Sequence, residues 1–245
     1  MYNTVDFIKD DPISIPRLFS VKEDIEISGF LAATIAWGQR PVILKSSLRM
    51  LELMDAAPHD FIRNATAHDF KRFIPFVHRT FNGTDCIYFL KGLQNIYKCH
   101  GGLETLFSDS LKQSDGDLAL AIHMARTTFF SHCQPERTAK HFADPLRNSS
   151  AKRICMFLRW MVRKDKRGVD FGIWKTIKPS QLYCPLDVHS GRVARELGLL
   201  NRNQNDWKAV EELTVNLRKL DSDDPIKYDF ALFGMGVGGI GGEDK

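Results

Sequence analysis

Most of the short signatures that would fix a function at once are missing from this chain of 245 residues. No C-x-x-C pair occurs among its five cysteines (86, 99, 133, 155 and 184), and nothing after Cys184 can hold an iron–sulfur cluster. The eight histidines show no ligand spacing, so neither a metal nor another cofactor is expected. No apolar run approaches the ~20 residues that cross a bilayer, and the N-terminus lacks the basic start and apolar core of a signal peptide. These absences predict a cytoplasmic protein, monomeric and without a membrane partner, whose thiols are reduced and mostly in the core. Period-two alternation is also lacking, which argues against a sheet.

Helical periodicity fills the chain instead. Apolar stripes run through Ile25–Ile35, Ile43–Met54, Ile87–Tyr97, Leu103–Leu111 and Leu118–Phe129. They continue through Ile154–Val162, a helix opening after Asp187, Trp207–Leu217, and a last helix from Pro225 or Ile226 to about Phe233. Pro41 suits a first helical turn and Gly101-Gly102 a stop. The expected class is all-α, with one helical lobe over residues 20–135, a second over 136–224, a cleft between them, and the segments 1–19 and 225–245 packing onto the lobes. Gly234-Met-Gly-Val-Gly-Gly239 matches G-x-G-x-x-G, but no strand precedes it, so it reads as a flexible tail.

Charge is unevenly spread. From Arg137 to Arg167 there are ten basic and two acidic residues, whereas the net charge of the whole chain is only +4. A basic patch on an otherwise acidic protein points to a polyanion; a solvated helix face reads equally well from charge alone. Within this stretch, Lys152 falls in the first turn of a helix with Ser149 or Ser150 as N-cap. Partial desolvation, the helix N-terminus and neighbouring Arg153 would each favour a neutral, nucleophilic amine there. The plainer reading is an ordinary surface lysine. Asp187 opens the next helix, where aspartate is a favoured cap and where a rigid carboxylate can face a cationic sugar.

The segment Pro185-Leu-Asp-Val-His-Ser-Gly-Arg-Val-Ala-Arg-Glu-Leu-Gly198 resembles the V-D-T-H-V-x-R-V-x-x-R-L-G segment of the helix-hairpin-helix DNA glycosylases, the endonuclease III-like superfamily. Most of the chain is similar to a bacterial family related to archaeal 8-oxoguanine DNA glycosylase. The resemblance implies that Asp187 is the catalytic aspartate and Lys152 the nucleophile of a lyase-competent member. It also implies a base pocket of Trp37, Gln39, Asp229 and Phe233, with Arg40, Arg147, Ser149, Ser150, Arg153, His189 and Arg192 contacting DNA. The usual glycine-bearing hairpin is replaced by Pro145-Leu-Arg-Asn-Ser-Ser-Ala-Lys152, and an insertion over Lys164–Tyr183 separates the two catalytic residues by 35 positions. The implied activity is excision of an oxidised purine such as 8-oxoguanine from double-stranded DNA, with cleavage at the abasic site. The alternative is a non-catalytic nucleic-acid-binding module on the same fold.

Overall fold

A computed structural model describes residues 4, 8–132 and 137–238. Among the described residues the protein is all-α apart from one minimal antiparallel hairpin, β1 (Val77–His78) with β2 (Phe81–Asn82). Chain contacts divide it into two compact units, one over Asp10–Ala143 and one gathering the chain from Asp144 onward.

The first unit contains α1 (Lys22–Thr34), α2 (Arg40–Leu53), α3 (Pro58–Asn64), α4 (Gly83–Cys99), α5 (Leu103–Gln113) and α6 (Leu118–Phe129). Local chemistry starts several of them. Asn82 and Asp85 form a reciprocal capping box on α4, and Asp117 caps α6 through the Leu120 N–H. Pro41 sits in the first turn of α2. The centre is aromatic: the Phe129 ring lies 5.4 Å from the rings of Phe30, Phe89 and Phe142. Gly92 on α4 admits it, since a Cβ there would stand 2.5 Å from the Phe129 ring. Two carboxylates are buried with partners, Glu26 against the Tyr97 hydroxyl (2.6 Å) and Asp85 against the Thr138 hydroxyl (2.7 Å).

The second unit contains α7 (Lys152–Val162), α8 (Val188–Glu196), α9 (Trp207–Leu220) and α10 (Asp229–Gly238). Its insertion, 164–183, has no α-helix yet is tied down. The Phe171 N–H donates to Trp160 O (2.8 Å), the Trp174 N–H donates to Met161 O (2.9 Å), and the Trp174 ring packs edge-on against Phe157 at 5.5 Å. Val169, Asp170 and Ile177 are buried, so the insertion packs into the unit although its backbone is irregular.

One local expectation changes. The last helix continues to Gly238 after a 3-10 turn at Pro225–Tyr228, so the glycine run is helical through Gly238; Gly239 lies outside the described residues. The thiols are mostly in the core, as expected: Cys86, Cys155 and Cys184 are buried, Cys99 is exposed, and Cys133 lies outside the described residues.

Candidate active site

Asp187 is the N-cap of α8, and its two carboxylate oxygens do different work. Oδ1 accepts the His189 and Ser190 N–H groups, both at 2.9 Å, while the Ser190 hydroxyl returns a bond by accepting the Asp187 N–H (3.0 Å). Oδ2 faces the Lys152 ammonium at 3.0 Å. The pair is partly open to solvent, with side-chain exposures of 33% and 21%. Burial disfavours ionisation of Asp187, but the charge of Lys152 and the two bonds from Ser190 outweigh it and hold the carboxyl below its usual range. The site therefore presents a fixed anion beside a primary amine. That arrangement can stabilise a cationic carbon and bring a nitrogen nucleophile to it.

The hairpin leading into α7 differs from the expectation. Neither serine caps the helix: Ala151 is the N-cap residue, in the left-handed region at φ 47°, and Lys152 is the first helical residue. Ser149 instead accepts the Ala151 N–H at 3.2 Å, two residues on, in a local side-chain turn. Asn148 is also left-handed, at φ 62°. Two non-glycine residues thus take up the kind of backbone that glycine usually supplies, at a cost of order 1–3 kcal/mol each. A long-range bond holds the turn, from Asn148 Nδ2 to Asp206 Oδ2 (3.2 Å); Asp206 caps α9 and pairs with Arg202.

Beneath the pair lies a buried charge ladder along α7. Arg159 pairs with Asp170 (3.2 Å) and with Asp229, and its guanidinium lies over the Phe230 ring at 4.3 Å. Arg163 meets Asp170 at 3.1 Å, and Asp165 and Asp224 at 2.9 Å each. Arg159 and Arg163 are 5% and 3% exposed, so they are internal struts and not part of a basic outer face. Lys164, Lys166 and Arg167 are exposed, as are Arg137, Lys140 and Arg147, so the outward charge of this stretch is smaller than the raw count. Periodicity held a clue to the ladder: Arg159 falls on, and Arg163 directly follows, a helix whose interior residues include Ile154, Phe157, Leu158 and Met161. A charge on such a face implies a partner.

The remaining expected site residues are spread over both units. Trp37, Gly38 and Gln39 form the link after α1, and Arg40 begins α2. Trp37 is half-buried, edge-on to His78 (5.0 Å) and stacked on His141 (5.7 Å), while Gln39 is exposed. Asp229 and Phe233 share a face of α10, but Asp229 is buried and held by Arg159, so meeting a base would require giving up that partner. Burial, opposed by Arg159 and Lys152, raises the Asp229 carboxyl above its ordinary range. Arg147 and His189 are exposed, and Ser149, Ser150 and Arg153 are half-buried. Burial lowers Arg153 to about 10. Arg192 is exposed but tied to Glu196 (3.0 Å) and to Gly236 O (3.1 Å).

Gly236 explains why the glycine run exists. A Cβ there would stand 2.9 Å from His189 Cβ and 3.0 Å from the His189 carbonyl carbon and oxygen, so α10 and the first turn of α8 touch through bare backbone. Gly236→Ala gains about 1 kcal/mol in helix propensity but forces that turn away, with overpacking costs of about 1–3 kcal/mol. The expected result is a lower Tm, read by thermal unfolding. A variant as stable as the wild type would contradict the close-contact reading.

Among the described residues no helix is long and apolar enough to cross a membrane, and no cluster of side chains fits a metal. The fold and the site together define a mostly helical protein with a half-buried amine–carboxylate pair built on two helix starts. The chain belongs to the family described as "Protein of unknown function (DUF2400)", whose model matches residues 11–238. Comparisons with curated proteins and with solved structures find no match.

Proposed function

We propose that this protein is a DNA glycosylase with abasic-site lyase activity, acting on an oxidised purine in duplex DNA. One observation carries the reading: Lys152 Nζ stands 3.0 Å from Asp187 Oδ2 while Oδ1 is spent on the α8 cap. The resemblance of the Asp187 segment to the helix-hairpin-helix glycosylases supports it, as do the exposed cations Arg147, Lys164, Lys166 and Arg167 of the same unit.

In the proposed reaction Lys152 first gives up a proton, for which Asp187 is the adjacent acceptor. Its nitrogen then bonds to C1′ as the glycosidic C1′–N bond breaks and that electron pair leaves with the base. The proton returned from Asp187 neutralises the departing base. Returning that proton leaves Asp187 ionised again, and a carboxylate fixed by two backbone N–H groups needs no reorganisation to meet the positive charge on the nitrogen now bonded to C1′. Ring opening gives a Schiff base between Lys152 and C1′. Loss of a C2′ proton then expels the 3′ phosphate, which is the lyase step.

The outward cations would serve a non-catalytic nucleic-acid-binding module equally well, so the deciding experiment must read chemistry. The full chain is incubated with a duplex carrying one 8-oxoguanine, and released base is measured by mass spectrometry. Free base from the wild type, and none from Lys152→Gln under the same conditions, is the expected result. Salt-sensitive duplex binding with no base released from any oxidised-purine substrate would favour the binding module instead.

A further inference from the structure

Lys152 and Arg159 lie seven residues apart on α7, two turns along one helical face. Two carboxylates from other elements serve this face near Lys152: Asp187, which opens α8, and Asp229, which opens α10. Lys152 meets Asp187 at 3.0 Å, whereas Asp229 is taken by Arg159, which also holds Asp170 at 3.2 Å from the insertion. Asp229 is buried, at 7% exposure, and its charge is felt by both Lys152 and Asp187. Asp170, Cys155 and Cys184 are also in electrostatic contact with Asp229, and both thiols are buried. Lys152 thus has two carboxylates in electrostatic reach and is bound to only one.

We propose that Arg159 is a positioning residue, which occupies Asp229 and so reserves the Lys152 amine for Asp187. A buried carboxylate deprived of its cation has two remedies: it takes up a proton, or it recruits another cation. With Arg159 gone, the cation on the same face is Lys152. Drawn inward to Asp229, Lys152 exchanges a part-open pair for a buried one, where the attraction is stronger and the ammonium gives up its proton less readily. Arg159 thereby acts on the reactive amine without touching a substrate. The inference rests on Lys152 being the reactive amine, yet its test needs no nucleic acid.

The test is limited reductive methylation of the full-length protein with formaldehyde and cyanoborohydride between about pH 7 and pH 10, with Lys152 followed by peptide mass spectrometry. Exposed Lys164 and Lys166 serve as internal controls. In Arg159→Met the labelling curve of Lys152 is expected to move toward alkaline pH, with about tenfold slower reaction near pH 8, while the controls do not change. Arg159→Lys restores the wild-type curve. So does the double variant Arg159→Met/Asp229→Asn, because the carboxylate that would capture Lys152 is gone. A general loosening of the unit predicts no such recovery.

Unchanged Lys152 labelling in a folded Arg159→Met protein overturns the proposal, and so does a double variant that labels as slowly as the single one. If Arg159→Met does not fold, the comparison passes to Asp229→Asn with and without Arg159→Met. Equal Lys152 curves are expected there, and unequal ones contradict the proposal. Failure of base release on DNA would remove the proposed function and leave these labelling results standing.

Discussion

Asp187→Asn is expected to fold as the wild type does and to release base about 10²–10³ times more slowly, the usual loss when one fixed electrostatic stabiliser of a transition state is removed. The substitution separates two roles that one side chain combines. Asparagine caps a helix about as well as aspartate, and its Oδ1 can still accept the His189 and Ser190 N–H groups. What disappears is the negative charge at Oδ2, and with it the ion pair to Lys152. Asp187→Ala removes the cap as well, and should lose about 1 kcal/mol of stability on top of the same kinetic defect. Single-turnover base release paired with thermal unfolding distinguishes the two variants. An Asp187→Asn protein with wild-type base release would reduce Asp187 to a structural cap.

The second large effect is on stability. Asp170 lies between Arg159 (3.2 Å) and Arg163 (3.1 Å) and is 5% exposed. Truncation to alanine leaves two buried guanidiniums short of one carboxylate. Breaking a buried pair in this way costs about 3–5 kcal/mol. Asp229 remains for Arg159, and Asp165 and Asp224 for Arg163, which places the expected loss near the lower end, about 3 kcal/mol. Lys166→Gln, on the exposed side of the same insertion, should change stability by less than about 0.5 kcal/mol. Urea unfolding midpoints give both numbers. An Asp170→Ala loss below about 1 kcal/mol would mean that the ladder contributes little to holding the insertion on α7.

The contrast between these residues also shows what the sequence could disclose. The α8 start was legible because aspartate followed by serine three residues on is a local signal that needs no partner elsewhere. The stripe of α7 was legible for the same reason, since its period lies within eleven residues. The first residue of α7 was not. Nothing local marks Ala151 for a left-handed backbone; the turn is fixed by Asn148 bonding to Asp206, 58 residues away. Arg159 and Arg163 looked like part of a basic surface because most of their partners, Asp170, Asp224 and Asp229, arrive from later segments. The glycine run looked like a tail because its helical state is explained by the backbone of His189, which only folding brings to Gly236. Short-range caps and periods are written in neighbouring residues, whereas buried charges and close backbone contacts depend on where distant residues arrive.

The central claim is that the Lys152 nitrogen bonds to a deoxyribose carbon. It is tested most directly by adding borohydride to the full-length protein on a duplex with a single abasic site. Borohydride reduces a Schiff base to a stable amine, so wild-type protein should become covalently joined to DNA, with the linkage mapping to the Lys152 peptide. Lys152→Gln should give no adduct while still binding the duplex. An adduct of equal yield in Lys152→Gln, or no adduct from a wild-type protein that binds the abasic duplex, would contradict the account.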